Sequence, residues 1–253
     1  MIDRNAASKY LVAKLKDELV VTSLGNEKYD LRSGGDRSRN FYNWNAMGMA
    51  SSLGLGLAMA RPDLKVIVYD GDGSLLMNLG ALATIALREP KNLIHIVWDN
   101  RSYAMTGGQP TATAYHTDLT AIAKGAGYPR VERVETLAEF QNAADRALEE
   151  PGPWFIHCLM EEKPVAGGGL PSPTAIKHRF MDAIGALDNG GKVQNNGIYL
   201  TLGVLEPQAG GDRVATYASY YRAANDATGY RYQLERVPGG PWVIDDRKEV
   251  WDH

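Results

Sequence analysis

Short, β-branched apolar runs alternate along this chain with longer segments whose apolar residues recur at helical spacing, and this alternation constrains the fold most strongly. The apolar runs predict five buried strands, at 19–22, 66–69, 94–98, 131–134 and 155–159. The helical spacing predicts helices at 46–60, 78–88, 119–124, 137–149 and 174–186. Because buried strands that alternate with helices are typical of parallel sheets, we expect an α/β fold with a doubly wound parallel sheet.

The chain changes character after residue 187, where the loop-like segment DNGGKVQNNG begins. We therefore predict a first domain over 1–187 and a small α+β appendage over 188–253. Within the appendage, the pattern predicts a strand at 198–205 and a tyrosine-rich helix at 214–227. It also predicts a hairpin in which the segments YRYQLERV and PWVID flank a Pro-Gly-Gly turn.

Composition and charge exclude several classes of protein. With 44% hydrophobic and 23% charged residues, the chain is not expected to be disordered. Its 27 Lys and Arg residues and 30 Asp and Glu residues give a formal charge of -3, so we expect no general binding to nucleic acid. Charges interrupt the first 21 residues, so we expect neither a signal peptide nor a membrane anchor. The single cysteine, Cys158, excludes an internal disulfide and favours a reducing cytoplasm.

One stretch of the sequence carries the strongest chemical signal. A predicted strand leads into Gly71-Asp72-Gly73-Ser74, and the next predicted strand ends at Asp99-Asn100. Because the carboxyl ends of successive parallel strands lie at the same edge of a sheet, Asp72 and Asn100 are expected to converge there. One carboxylate and one amide oxygen form a sparse set of hard ligands, which suits a magnesium ion that also binds phosphate and water.

An Asp-Gly pair alone is most often a turn, so the placement of these residues decides between the two interpretations. A strand precedes the glycines, a helix follows them, and an amide stands at the end of the next strand. GDGS followed at this distance by DN resembles the diphosphate-binding signature of thiamine diphosphate enzymes, over about residues 1–186. The strings most similar to the phosphonopyruvate and sulfopyruvate decarboxylase group are NAMGMASSLGLGLAMARPD, GDGSLLMNLGALATIA, TGGQPT and IKHRFMDAI.

The resemblance implies roles for residues at the carboxyl edge of the sheet. Magnesium would be bound by the side chains of Asp72 and Asn100 and by the backbone carbonyl of Ser102. In addition to these three residues, those implied to contact thiamine diphosphate are Gly71, Gly73, Ser74 and Tyr103. We therefore expect one site that binds the metal and the cofactor together.

The resemblance also assigns a catalytic role to Met47, which precedes Gly48. It corresponds to the bulky residue that wedges under the cofactor in this family and bends the two cofactor rings toward each other. Backbone groups of Asn45 and Met47 would bind the edge of the pyrimidine ring. From the residues alone, Met47 is equally well explained as a core methionine in a Gly/Ala-rich helix, and the resemblance favours the catalytic role.

Several residues depart from the pattern of this family. Asn45-Ala46 replaces a Gly-Ser pair, and Asn is the non-glycine residue that best tolerates unusual backbone angles. Arg101 stands where the group often has a small residue, and Tyr115-His116 replace small or aliphatic residues. His116 is a candidate catalytic proton donor, although a single loop histidine is more commonly a surface residue. These departures leave the identity of the substrate open.

Three arginines, Arg32, Arg37 and Arg39, lie in a Gly-rich segment before Asn40. They have two possible roles. They would either bind the anionic tail of a substrate or form part of a solvated polar loop, and the second role is the more common one for exposed arginines.

Enzymes of the resembled family need a glutamate from a separate pyrimidine-binding domain, which activates the cofactor by protonating its aminopyrimidine ring. We expect this chain to begin directly with the diphosphate-binding domain. Residues 188–253 are too few for a further doubly wound domain, which usually needs on the order of 100 residues. The resemblance therefore implies a β-type subunit of a hetero-oligomer, with the activating glutamate supplied by an α-type subunit.

The resemblance implies thiamine diphosphate- and Mg²⁺-dependent decarboxylation of a small, anionic, 3-substituted 2-oxo acid to an aldehyde. Phosphonopyruvate and sulfopyruvate are examples of such a substrate. Two alternatives use the same fold. In the first, the carbanion is joined to a second carbonyl, which makes the chain a subunit of an acyloin-forming carboligase. In the second, the chain is a non-catalytic subunit that retains the fold for assembly, and the intact Asp72, Asn100 and Met47 argue against this.

Overall fold

The computed structural model describes residues 1–161 and 169–185 in full, and the backbone of the segments 206–207, 213–223, 226–236 and 242–252. The chain divides into two compact units, Met1–Ile176 and Lys177–His253. In the part of the chain that is described, no helix is both long and apolar enough to cross a bilayer.

The first unit is built on a six-stranded sheet in which all neighbouring strands are parallel. Its strands are β1 Leu19–Thr22, β2 Asn40–Phe41, β3 Val66–Gly71, β4 Leu93–Asp99, β5 Arg130–Val134 and β6 Trp154–Leu159. Their order across the sheet is β2-β1-β3-β4-β6-β5. The predicted parallel α/β sheet is confirmed. All five predicted strands are present, and the two-residue β2 was not predicted.

Helices follow the strands along the chain. They are α1 Arg4–Lys14, α2 Glu27–Gly34, α3 Ala50–Ala60, α4 Asp72–Leu76, α5 Gly80–Arg88, α6 Leu119–Ala126, α7 Leu137–Glu149 and α8 Pro173–Ala183. The five predicted helices are present; α7 has the predicted bounds, and the other four differ at one or both ends. A capping box formed by Thr136 and Glu139 begins α7, where each residue's side chain accepts a hydrogen bond from the other's backbone N–H.

Three short or polar helices, α1, α2 and α4, were not predicted. Helix α1 has charged residues throughout, but Asp3 caps its start by accepting hydrogen bonds from the backbone N–H groups of Asn5 and Ala6. Helix α2, EKYDLRSG, contains too few apolar residues to show helical periodicity. Helix α4 has only 5 residues, which is shorter than the window over which periodicity is detectable.

One face of the sheet packs against α1, α2 and α7. The core on this face includes Ile67 of β3, Ile96 and Trp98 of β4, and Phe140 and Ala144 of α7. The ring of Trp98 lies 5.1 Å from that of Phe140, measured between centroids. Such a buried aromatic contact joins α7 firmly to the middle of the sheet.

The opposite face of the sheet packs against α3 and α6. Successive strand residues point to opposite faces, so Val68 and His157 lie on the other side from Ile67 and Trp98. A side chain at Gly54 of α3 would overlap Val68, which shows how closely this helix approaches the sheet. With both faces covered, β4 and β6 are buried along their whole length, as is typical of parallel sheets.

The winding of the sheet reverses between β1 and β3. The chain places β2 on one side of β1, and then places β3 and β4 on its other side. The loops that leave the carboxyl ends of β1 and β3 therefore diverge and leave a crevice between them. In open α/β sheets, this is the place where ligands bind.

In the second unit, the described strands form a four-stranded antiparallel sheet with the order β10-β9-β8-β7. Its strands are β7 Glu206–Pro207, β8 Arg213–Ala223, β9 Asp226–Arg236 and β10 Trp242–Asp252. The predicted hairpin is present as the pairing of β9 with β10. The predicted strand at 198–205 lies outside the described residues.

The helix predicted at 214–227 is wrong, because that segment forms β8 and the start of β9. Its tyrosines and its Val and Thr residues suit a strand as well as a helix face. The backbone of β8 pairs with β9 from Arg213 to Ala223, and this pairing, which is not local, decides between the two structures.

We predict that the core around α7 contributes strongly to stability. Replacing the fully buried Phe140 by Ala should lower the free energy of unfolding by about 3–5 kcal/mol, because a large cavity remains between α7 and Trp98. The control is Leu87→Ala at a side chain that is 81% exposed, where we expect a change within about 0.5 kcal/mol. Urea unfolding followed by circular dichroism measures both values. Equal losses for the two variants would contradict the packing described above.

Candidate functional site

A cavity of about 330 Å³ lies at the carboxyl edge of the parallel sheet, where the winding reverses. Its walls come from the loops that follow β1, β3 and β4, and from the segment before α3. The predicted site residues that line it are Met47, Gly71, Asp72, Gly73, Ser74, Asn100, Ser102 and Tyr103. Two predicted site residues, Asn45 and His116, do not line it.

The Gly71–Ser74 segment forms the turn from β3 into α4, with Gly71 as the N-cap of the helix. Gly73 has no room for a side chain, since a Cβ atom there would lie 2.5 Å from the ring of Tyr103. The absence of a side chain lets the Tyr103 ring pack directly against this turn, and both residues line the cavity. Ser74 Oγ accepts a hydrogen bond from the backbone N–H of Gly48 at 3.1 Å, which leaves the serine proton free to be donated.

Asp72 is a buried carboxyl group, only 3% exposed, at the wall of the cavity. Thr111 Oγ1 donates a hydrogen bond of 2.6 Å to its Oδ2 atom, and Thr113 Oγ1 lies 3.3 Å from the same atom. Burial raises the pKa of Asp72 to about 7, and the negative charge of Asp99 adds to this shift. The two threonine hydrogen bonds oppose it. The carboxyl therefore lacks a positive partner, which a divalent cation would supply.

The neighbouring carboxylate, Asp99, is held in a different way. His157 Nε2 donates a hydrogen bond of 2.8 Å to Asp99 Oδ2, and Thr113 Oγ1 donates one of 2.8 Å to Oδ1. Burial raises the pKa of Asp99, but these hydrogen bonds outweigh that effect and the net shift is downward. Thr113 Oγ1 lies within hydrogen-bond distance of both carboxyl groups. It therefore connects the ionised Asp99 to the less acidic Asp72.

Asn100, Ser102 and Tyr103 lie in the loop that follows β4. Asn100 Oδ1 accepts a hydrogen bond of 3.1 Å from the backbone N–H of Ser102, which makes a tight turn at the wall of the cavity. Among the described residues, the buried Ser102 Oγ and the indole N–H of Trp98 have no hydrogen-bond partner, and both residues line the cavity. Unpaired buried polar groups are costly, so these two atoms favour a polar ligand at this place.

Met47 lines the cavity just before α3, which starts at Ala50 rather than at residue 46. The segment is tied to the Gly71–Ser74 turn through Gly48, which has a φ of +81°. Its N–H binds Ser74, and its carbonyl accepts a hydrogen bond of 2.9 Å from Asn78 Nδ2. The exposed Asn45 has a φ of +101°, so a left-handed backbone occurs where the sequence has replaced glycine by asparagine.

The structure does not bring His116 into the site. Its side chain is exposed, and it is not among the residues that line the cavity. This exposure is what the surface interpretation of a loop histidine predicts, and a catalytic role for His116 stays a prediction that the geometry of this chain does not support.

The three candidate arginines also lie outside the cavity. Arg37 donates to the backbone carbonyls of Lys16 and Glu18, and Arg39 donates to that of Asp17. The side chain of Arg32 is 3.9 Å from that of Asp36. Arg37 and Arg39 therefore support the loop between α1 and β1, whereas the contact of Arg32 stays within the segment from α2 to β2.

Several residues that the sequence did not single out also line the cavity. They include Ser23, Gly25 and Glu27 from the loop after β1, and Arg4 from the start of α1. Arg4 is buried and forms an ion pair with Asp30. No recognisable motif marks these residues. The one available signal was their position after a buried strand, at the edge where ligands bind.

The side chains of this site fit a magnesium ion better than a transition metal. Within the described residues, no group of three or more His, Cys, Asp and Glu side chains is placed to hold a metal. Asp72, Asn100 and the carbonyl of Ser102 offer hard oxygen atoms, and Mg²⁺ usually fills its remaining positions with water and substrate phosphate oxygens. At Gly71, beside Asp72, a Cβ atom would have no neighbour closer than 3.8 Å, which leaves space for such a phosphate.

The fold and the site together define a class of α/β protein that binds an anionic ligand at the switch point of a parallel sheet. Residues 29–158 match the family model described as thiamine pyrophosphate enzyme, C-terminal TPP binding domain. Thiamine pyrophosphate is another name for thiamine diphosphate. The chain belongs to this family of thiamine pyrophosphate enzymes.

Two relatives illustrate the range of lengths within the family. The chain is 43% identical over 176 residues to sulfopyruvate decarboxylase subunit beta of Methanocaldococcus jannaschii, covering 66% of this chain and 88% of that protein. It is 39% identical over 180 residues to phosphonopyruvate decarboxylase of Streptomyces viridochromogenes, covering 70% of this chain but only 45% of that protein. The chain therefore spans most of the first relative and less than half of the second.

Solved structures support the fold. The crystal structure of benzoylformate decarboxylase from Polynucleobacter necessarius superposes with a TM-score of 0.54 at 19% sequence identity. The match covers 64% of this chain and 34% of that protein. At this identity the likeness extends to the fold alone.

We predict that Mg²⁺ binding depends on the ionisation of Asp72. Because a proton competes with the metal for the carboxylate, the apparent Mg²⁺ affinity in the presence of thiamine diphosphate should fall below pH about 7. The fall should approach tenfold for each pH unit. Asp72→Asn should lose this dependence and most of the affinity, as measured by calorimetry.

The matched control for this experiment is Asp63→Asn, which alters an exposed carboxylate. Its Mg²⁺ affinity and pH profile should equal those of the unmodified chain. Unchanged affinity in Asp72→Asn would show that the metal is not bound by this residue.

Proposed function

We propose that this chain is the diphosphate-binding subunit of a thiamine diphosphate- and Mg²⁺-dependent decarboxylase. Its substrate would be a small, anionic, 3-substituted 2-oxo acid such as sulfopyruvate or phosphonopyruvate, and its product an aldehyde. The observation that carries the proposal is the convergence of Asp72, Asn100 and the Gly71–Ser74 turn at one cavity. Membership of the thiamine pyrophosphate enzyme family and the names of the two relatives support the choice of cofactor and reaction.

Different residues of the cavity would bind different parts of the cofactor. Asp72, Asn100 and the Ser102 carbonyl would hold Mg²⁺, and Mg²⁺ would in turn offset the charge of the diphosphate. The backbone of the Gly71–Ser74 turn and the free proton of Ser74 would donate to phosphate oxygens. Met47, on the segment tied to this turn by Gly48, would support the cofactor from below.

When bound, thiamine diphosphate supplies a nucleophilic carbon and an electron sink for the carbanion left by carbon dioxide. This chain contributes orientation and exclusion of water. The cavity is walled largely by apolar side chains such as Trp98, Met77 and Met105, together with the polar groups described above. An apolar wall favours loss of a carboxylate, because the charged ground state is poorly solvated there.

We further propose that the active site is completed by a second polypeptide. The relative from Methanocaldococcus jannaschii is named a beta subunit, and this chain covers 88% of it. The longer phosphonopyruvate decarboxylase has room for a second domain in the half that this chain does not match. The activating glutamate would come from a pyrimidine-binding α-type subunit. The single, buried, free Cys158 is compatible with assembly in a reducing cytoplasm.

We predict that the purified chain has little decarboxylase activity until its partner is added. Without the activating glutamate, turnover should be lower by at least about 100-fold, since general acid–base groups usually contribute that much. Pull-down followed by mass spectrometry identifies the partner, and aldehyde release from sulfopyruvate and phosphonopyruvate measures turnover of the reconstituted complex. Asp72→Ala in the complex serves as the inactive control.

The products distinguish the proposed reaction from its alternatives. A free aldehyde supports the decarboxylase, whereas an acyloin, which differs in mass, would identify a carboligase. Strong decarboxylation by the single chain would refute the heteromeric site. A complex that assembles but turns over neither acid would favour the non-catalytic role.

A further inference from the structure

A buried glutamate lines the cavity and is not explained by the diphosphate-binding signature. Glu27 is the first residue of α2, directly after the loop that follows β1. This loop lies at the point where the winding of the sheet reverses. It is only 3% exposed. Ser23 Oγ and the backbone N–H of Gly25 both donate hydrogen bonds to Glu27 Oε1, the second over 2.9 Å. Within residues 1–161 and 169–185, no other residue donates a hydrogen bond to Oε2.

The Oε2 atom of Glu27 lies beside the diphosphate turn. A Cβ atom placed on Gly71 would have two neighbours within 4 Å outside its own segment, Glu27 Oε2 at 3.8 Å and Ser23 Oγ at 3.9 Å. Gly71 begins the Gly71–Ser74 turn, and both Gly71 and Glu27 line the cavity. A diphosphate held by that turn is therefore next to the carboxyl group of Glu27.

The charges around Glu27 come from four elements. Arg4 of α1 and Lys28 of α2 favour the carboxylate, although Arg4 is already paired with Asp30. Asp70 at the end of β3 disfavours it, and Asp72 at the start of α4 lines the same cavity. Burial is the largest effect and raises the pKa of Glu27, whereas the hydrogen bond from Ser23 lowers it, and the net shift is upward.

A diphosphate would raise the pKa of Glu27 further, because an ionised carboxylate next to phosphate oxygens is repelled. We propose that Glu27 is a cofactor-binding residue that acts as a neutral acid, donating its Oε2–H to a phosphate oxygen of thiamine diphosphate. This inference rests on the proposed function. It adds a binding residue from the opposite side of the crevice, and it makes the affinity for the cofactor depend on a proton.

The sign of the pH effect follows from this role. Loss of the Glu27 proton removes a hydrogen-bond donor and adds a negative charge, so binding of the cofactor weakens as pH rises. The affinity should fall by up to about tenfold for each pH unit above the pKa of Glu27. This direction is opposite to that expected for Asp72, which must lose its proton to bind Mg²⁺.

Calorimetry of the full chain with thiamine diphosphate and Mg²⁺, between about pH 6 and about pH 9, tests this proposal. Glu27→Gln keeps a neutral donor of the same shape. It should bind as tightly as the unmodified chain at the low end of the range and more tightly at the high end. Glu27→Ala should bind about tenfold more weakly at low pH, because a hydrogen bond to a charged group is lost. The exposed Glu89→Gln is the control and should match the unmodified chain.

A second measurement requires no variant. Calorimetry in two buffers of different ionisation enthalpy counts the protons that accompany binding, and Mg²⁺ titrated alone gives the contribution of Asp72. Above the pKa of Glu27, binding of the cofactor should be accompanied by the uptake of a proton by the chain. Absence of this uptake would overturn the proposal, as would parallel pH profiles for Glu27→Gln and the unmodified chain.

The failure of this inference is distinguishable from that of the proposed function. If the unmodified chain binds neither thiamine diphosphate nor magnesium pyrophosphate at millimolar concentration, the proposed function is refuted along with the role of Glu27. If binding is retained and only the proton dependence is missing, the role of Glu27 alone is wrong.

Discussion

The site depends on the burial of the parallel sheet on both faces. Helices cover β4 and β6 so completely that polar side chains on these strands must find partners inside the protein, as His157 does with Asp99. Polar groups that can meet a ligand therefore lie where the strands end, at the carboxyl edge. The reversal between β1 and β3 opens the cavity at one point of that edge, and the Gly71–Ser74 turn and Glu27 approach the cavity from its two sides.

Electrostatics at this edge are unbalanced in the chain itself. Asp72 is buried near a second carboxylate, Asp99, and the groups that donate hydrogen bonds to it, threonine hydroxyls and the backbone N–H of Gly73, carry no positive charge. Asp99 has a histidine partner, so its negative charge is stabilised while that of Asp72 is not. The folded chain can tolerate a buried carboxyl group without a positive partner, because this group accepts a proton near neutral pH. Such a group is well suited to exchange that proton for a cation.

Much of the fold and part of the site could be predicted from local patterns. Asp72 and Asn100 could be placed together because each follows a strongly apolar strand, and parallel strands share a carboxyl edge. Glu27 could not be found, because α2 shows no apolar periodicity and no motif follows β1. Strand β8 was mistaken for a helix because its aromatic residues fit both structures, and its partner β9 decides between them. The exposure of His116 likewise depends on the path of a whole loop.

The two hydrogen bonds of Gly48 have a consequence for molecular recognition. They fix the backbone beside Met47 to Ser74 and Asn78, so the Met47 segment and the Gly71–Ser74 turn form one connected wall of the cavity. A substitution that displaces either segment should therefore displace the other as well, and with it the shape that the cavity presents to a ligand.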